Sequence, residues 1–137
     1  MKTIGRMKID LIPSIKETGL PLIEVGVCGR NRLFLLDSGS TANLVTSTLK
    51  DACPHSDAGA SKSYSVGGNG LDCSMVKMGY DIAGVPRESE FMVTDPSTFD
   101  VFREESGLTV EGIMGIPFLI QHRCVVDFRK GRLSLKA

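Results

Sequence analysis

Asp37 closes the apolar run Leu33-Phe34-Leu35-Leu36 and opens the turn Ser38-Gly39-Ser40. A carboxyl group carried to a turn by a strand can give or take a proton, which is the work of general acid–base catalysis. Asp, Ser and Gly are also ordinary turn formers, so the tripeptide alone reads as a turn. It gains meaning from Ile113-Met114-Gly115-Ile116, a second apolar run interrupted by a glycine. The other acids lack that setting. Asp72 and Asp81 read as solvated strand residues, Asp127 as a strand-end or turn residue, and Glu104-Glu105 as an exposed helix face. Asp37 is therefore the single candidate catalytic residue.

Metal and thiol chemistry find less support. The cysteines are Cys28, Cys53, Cys73 and Cys124, and none forms a Cys-x-x-Cys pair. His122-Arg123-Cys124 and Cys53-Pro54-His55 put possible ligands close together, but at spacings foreign to the common zinc patterns. Without a secretory signal the expectation is reduced thiols, surface histidines, no metal and no cofactor. Sixteen Lys and Arg balance sixteen Asp and Glu, so the formal net charge is zero. That balance argues against nucleic acid or an anionic membrane as partner. No apolar stretch reaches transmembrane length. The residues Met1 to Lys8 include basic side chains but no apolar signal core, so the chain reads as cytoplasmic. Its 137 residues suit one domain spanning 1–137.

The elements that must position Asp37 are mostly strands. Leu20 to Val27 and Arg32 to Leu36, joined by the turn Cys28-Gly29-Arg30-Asn31, read as a hairpin delivering Asp37 to its far end. Thr41 to Ala52 suits a short strand and one or two helical turns. Cys53 to Ser61 reads as a polar loop. Gly67-Gly68-Asn69-Gly70 between Ser63–Val66 and Leu71–Met75 is a strong hairpin signal with a pliable tip. Val76 to Ile82 and Glu88 to Val93, around Ala83-Gly84-Val85-Pro86, predict another hairpin. Phe99 to Glu105 reads as a short helix ended by Gly107. Thr109 to Ile116 is strand-like, and Pro117 can open a helix through His122. Cys124 to Phe128, a turn at Arg129-Lys130-Gly131, and Arg132 to Leu135 complete the strands.

Taken in order, these pieces resemble the retroviral-type (retropepsin-like) aspartic proteases and their bacterial and cellular relatives. The resemblance rests on Leu35-Leu36-Asp37-Ser38-Gly39-Ser40, on Gly67-Gly68-Asn69-Gly70, on Gly112-Ile113-Met114-Gly115-Ile116-Pro117-Phe118-Leu119, and on Val125 through Leu135. It covers about Leu20 to Leu135. It implies an all-β half-barrel with a flap hairpin and one or two short helices, acting as a two-fold homodimer on polypeptide substrates.

The resemblance also implies roles for residues. Asp37 and its twin across the dimer axis would share one proton and activate a water, since like charges in contact cannot both ionise easily. Ser38 would bond across the axis. Gly39 would give the backbone room and donate its amide to the aspartate. Ser40 could donate to the outer carboxylate oxygen. Ile113, Met114 and Gly115 would pack beneath the loop. Val66, Gly67, Gly68, Asn69 and Gly70 would form the flap over an extended peptide. The stretch from Asp95 to Leu108 is longer and more charged than in the compact viral forms.

Two other functions fit the same residues. One is a module of this fold kept for dimerisation or peptide binding, with weak catalysis or none. The other is an unrelated small β-barrel that binds a ligand. Retention of Asp37-Ser38-Gly39 beside a glycine-rich hairpin favours the enzyme.

Overall fold

The computed structural model describes residues 5–63 and 71–137. The first strand, β1 (Arg6–Asp10), leads into helix α1 (Ile12–Thr18). A hairpin follows, β2 (Leu22–Val27) and β3 (Arg30–Leu36), then β4 (Leu44–Thr46) and α2 (Ser47–Ala52). Next come three long strands, β5 (Ser56–Ser63), β6 (Leu71–Ile82) and β7 (Val85–Thr94). A 3-10 turn at Pro96–Phe99 and helix α3 (Asp100–Ser106) precede β8 (Val110–Met114) and α4 (Ile116–Gln121). The chain closes with β9 (Val125–Asp127) and β10 (Arg132–Lys136).

The main sheet runs β2-β3-β8-β4-β7-β6-β5. Gly26 on β2 also pairs with Asp81 on β6, which closes six of these strands into a barrel and leaves β5 outside as an edge. A Cβ on Gly26 would strike the Asp81 carboxylate, so the glycine lets that side chain lie across β2. Alternation along the strands fills the barrel. Val25, Val27, Phe34, Leu36, Met78, Tyr80 and Phe91 are buried. Phe34 meets Phe91 edge-on at 6.2 Å between ring centres, a favoured aromatic geometry. A Cβ on Gly112 would strike the Phe34 ring and the Leu44 carbonyl, so this glycine lets β8 lie close to both neighbours. A second sheet, β1-β10-β9, covers one side with Leu133 and Leu135, both 0% exposed.

The two hairpin turns are tighter than their sequences suggest. Cys28 and Gly29 hold φ of 53° and 74°, and Ala83 and Gly84 hold 49° and 83°. Two positive values in succession suit the right-handed twist of the strands they join. Pairing therefore resumes at Arg30 and at Val85, inside the segments expected to be turn.

Other expectations need correcting. The segment expected as a polar loop after Cys53 holds β5, whose small polar residues form a strand through pairing with β6. Such pairing outweighs weak intrinsic preference. β6 is one continuous strand where the sequence suggested two. The elements β1 and α1 left no readable signal. Helix α1 buries none of its residues, so no apolar period marks it, although Gly19 ends it in the left-handed region at φ 78°. Four short α-helices and a 3-10 turn occur among the described residues, more than the one or two expected. The terminal strands β1 and β10 pair with each other inside one chain, from Arg6 opposite Lys136 to Asp10 opposite Arg132. Cys28 and Cys53, expected as free thiols, are joined as a disulfide with Cα atoms 5.8 Å apart. The hairpin tip and the end of α2 converge there, which brings the two side chains together whatever their distance in sequence. Among the described residues no helix is long and apolar enough to cross a membrane.

Candidate active site

The Asp37 loop owes its position to strand order. β8 pairs parallel with β3 on one side and antiparallel with β4 on the other. The connection from β3 to β4, residues 37–43, must therefore cross the end of β8. Asp37 leads this crossing, and its amide donates to the Met114 carbonyl at 3.0 Å. Its Oδ1 accepts the Gly39 amide at 2.8 Å. A Cβ on Gly39 would sit 3.1 Å from that same oxygen, so the glycine keeps the approach open. Asp37 is half-buried, whereas Ser38 and Gly39 are exposed. The carboxylate is thus oriented from within and reachable from outside.

Beneath the crossing lies the second apolar run. Met114 is fully buried, and Ile113 is half-buried with Leu35 and Leu44 as its strand neighbours. Gly115 sits directly under the loop. A Cβ there would strike the carbonyl oxygens of Ala42 and Ser40. The Ser40 carbonyl in turn accepts the Ile116 amide at 2.9 Å, tying the loop to the start of α4. Ser40 departs from its expected role. Its hydroxyl donates to the Ala42 carbonyl at 2.7 Å, because that carbonyl lies two residues along the same turn.

Asn43 escaped the sequence reading. It is 2% exposed and joins three elements. Its Oδ1 accepts the amides of Gly115 at 3.0 Å and Phe118 at 3.1 Å, two donors that the start of α4 leaves without a helical partner. Its Nδ2 donates to the Glu90 carbonyl on β7 at 3.2 Å. A polar residue among apolar neighbours, six positions after the Asp, was the signal available.

The expected flap residues Val66, Gly67, Gly68, Asn69 and Gly70 lie outside the described residues. The strands that lead to them do not. β5 and β6 stay paired as far as Ser63 opposite Leu71.

A second polar cluster is buried between β6, β7 and α4. His122 was expected at the surface but is only 7% exposed. Arg87 donates to its Nδ1 at 2.9 Å, and its Nε2 lies 2.8 Å from the Tyr80 hydroxyl. Tyr80 is 2.7 Å from Ser89 Oγ, and Ser89 donates to Gln121 Oε1 at 2.7 Å. Burial, with the Arg87 charge adding to it, pulls the His122 pKa down to about 4. Burial pushes Tyr80 up to about 12 and the Cys124 thiol up to about 11. Each shift favours the neutral form of its group at pH 7. Asp127 and Asp81 bond turn amides, of Lys130 at 3.1 Å and Gly84 at 3.3 Å. Among the described residues no group of three or more His, Cys, Asp or Glu could hold a metal ion.

Comparison with protein-family models and with curated proteins found no match.

Proposed function

We propose that this chain is one half of a dimeric aspartic endopeptidase of the retropepsin-like kind. The observation that carries the reading is the Asp37 carboxylate itself. It is held by the Gly39 amide on a loop that crosses the end of β8, and it is open to solvent on its outer side. The described residues offer no second acid in a matching loop, and one carboxyl cannot act as base and acid at the same moment. A second copy of the chain supplies the partner. The exposed Ser38 and Gly39 would meet their mates near the two-fold axis, flanked by the exposed side chains Ile116 and Ile120 of α4. In this reading the contact would not need exchanged terminal strands, since β1 and β10 already pair within one chain.

The chemistry follows from a proton shared by two carboxyls. The ionised Asp37 takes a proton from a water held between the pair. The water oxygen bonds to the peptide carbonyl carbon while the protonated Asp37 of the other copy gives its proton to the carbonyl oxygen. Collapse of the tetrahedral diol breaks the C–N bond: the protonated carboxyl gives its proton to the amine nitrogen, and one diol hydroxyl returns its proton to the ionised carboxyl, which restores the shared proton. A substrate held in extended form along strand edges would present its backbone for hydrogen bonding. The test is hydrolysis of a peptide library by the wild-type chain and by Asp37→Asn, with a statine-type inhibitor as control. Cleavage that the inhibitor blocks and the variant lacks supports the proposal. Full activity in Asp37→Asn overturns it, and peptide binding without any cleavage points to the binding-module alternative.

A further inference from the structure

The zero net charge of the chain hides an uneven distribution. Residues 123–136 hold Arg123, Arg129, Lys130, Arg132 and Lys136 against one acid, Asp127. The fold brings part of this charge to the N-terminal strand. In the β1–β10 ladder Arg6 stands directly opposite Lys136. Like charges in that position repel, so the pairing costs stability unless a counter-charge is near. Arg123 joins them from the turn after α4, with φ of 49°, a conformation uncommon for a residue other than glycine. Together with Gly5 these three residues line a depression of about 340 Å³.

Two features make this more than a basic patch. The first is that Arg6 is held in place. Its Nε donates to Ser134 Oγ at 2.8 Å, and one NH2 donor group reaches the carbonyls of Arg123 at 2.8 Å and Ser134 at 3.0 Å. The other terminal nitrogen, NH1, is the donor left for a ligand. The walls are tied as well: the Ala137 amide donates to the Gly5 carbonyl at 3.2 Å, and Arg87 donates to the Lys136 carbonyl at 2.7 Å. The second is that these cationic side chains make no close ion pair. Among the described residues no carboxylate forms an ion pair with Arg6, Arg123 or Lys136.

We propose that this depression binds the phosphoryl group of a small phosphate monoester. Three cationic residues around one depression call for more than the single charge of a carboxylate. A phosphoryl group carries close to two negative charges at pH 7 and three acceptor oxygens, one for each cationic side chain. Arginine forks suit that geometry better than isolated ammonium groups do. The site lies on the terminal sheet and uses none of the Asp37 loop, so it stands or falls independently of peptide hydrolysis.

The test is a titration of the labelled full chain with glycerol 3-phosphate, followed by backbone amide NMR. Inorganic phosphate is titrated in parallel and ionic strength is held constant, because exposed charges are screened by salt. Saturable shifts centred on Gly5, Arg123 and Lys136 are expected. Affinity should fall by about fivefold or more in Arg123→Gln and, separately, in Lys136→Gln, each of which removes one exposed charge. Tighter binding of the ester than of inorganic phosphate supports a monoester ligand, and the reverse order overturns it. Shifts spread evenly over the basic surface, or equal affinity in both variants and the wild type, would overturn the site altogether.

Discussion

Arg87 donates to Nδ1 of His122 across 2.9 Å, and that contact sets the direction of a buried proton chain. A guanidinium only donates, so Nδ1 accepts and the imidazole is neutral with its proton on Nε2. Nε2–H then donates to the Tyr80 oxygen, Tyr80 to Ser89, and Ser89 to Gln121. Gln121 Nε2 completes the run by donating to the Glu88 carbonyl at 2.7 Å. Every link is oriented by the first.

A pH prediction follows from that orientation. The folded His122 pKa is lowered to about 4 from 6.5, so between these values the unfolded chain binds a proton that the native one refuses. Its contribution is fully present above pH 6.5 and is lost as pH falls toward 4, by up to about 3 kcal/mol. Protonated Nδ1 would also face the Arg87 charge with no lone pair to offer. Urea denaturation at several pH values should show this loss in the wild type and a shallower slope in His122→Gln. Equal slopes would mean that the buried imidazole titrates normally.

Asn43 should matter to both stability and activity. Asn43→Ala leaves the Gly115 and Phe118 amides and the Glu90 carbonyl unpaired in a buried place, which should cost about 2–4 kcal/mol. Asn43→Asp keeps the acceptor for the amides but sets a carboxylate oxygen against the Glu90 carbonyl, so it should not restore stability at pH 7. Denaturant midpoints and peptide turnover measured on the same samples check both. An Asn43→Ala protein as stable as the wild type would remove Asn43 from the framework of the loop.

How much of this was legible depends on the kind of signal. The β2–β3 hairpin, the Asp37 turn, α3 with its Gly107 end and β8 with α4 all showed in the sequence, because apolar alternation and turn residues are local. Asn43 did not show, since its value lies in contacts with residues more than forty positions away on two elements. α1 did not show because none of its residues is fully buried and Ile15 alone packs against the core, and β5 because Ser56-Asp57-Ala58-Gly59 has no strand preference of its own. His122 looked like a surface residue because its burial is made by Tyr80 and Phe118, brought in by tertiary packing.

Gly115 offers a purely steric test. Its missing side chain leaves room for the Ala42 and Ser40 carbonyls. Gly115→Ala should push the loop away from α4, with a stability cost of about 1–3 kcal/mol and a larger fall in turnover than the stability loss explains. Gly84→Ala is a useful contrast. Its φ of 83° would strain an alanine, but nothing lies within 4 Å of its Cβ position, and it belongs to the β6–β7 turn, far from the loop in sequence. If both variants lose stability yet turn over peptide at the wild-type rate, the fit of Gly115 beneath Asp37 has no bearing on catalysis.

The Cys28–Cys53 disulfide closes a loop that contains the whole Asp37 segment. Constraining a loop of this size in the unfolded chain contributes about 3 kcal/mol. Oxidised protein should therefore melt higher than the same protein in reductant, and the double variant Cys28→Ser with Cys53→Ser should match the reduced form. Thiol titration after denaturation without reductant should leave Cys28 and Cys53 unreactive. Four reactive thiols would show that the bond is absent in solution.

The last prediction concerns assembly. If hydrolysis needs two Asp37 carboxyls, as proposed, specific activity should fall as dilution separates the copies. In the proposed dimer the interface would be isologous, with Ser38 and Gly39 of each copy near the axis. Ile120, 72% exposed on α4, should be covered in the dimer if that helix flanks the axis. Ile120→Glu would place like charges beside each other at a two-fold contact, and should shift the association constant while leaving the monomer folded. Analytical ultracentrifugation and peptide turnover are measured over the same concentration range. Loss of turnover in step with loss of dimer, occurring at higher concentration for Ile120→Glu, is the expected result. Turnover that stays proportional to protein where only monomer sediments would place all the catalytic groups in one chain and end the case for a shared dyad.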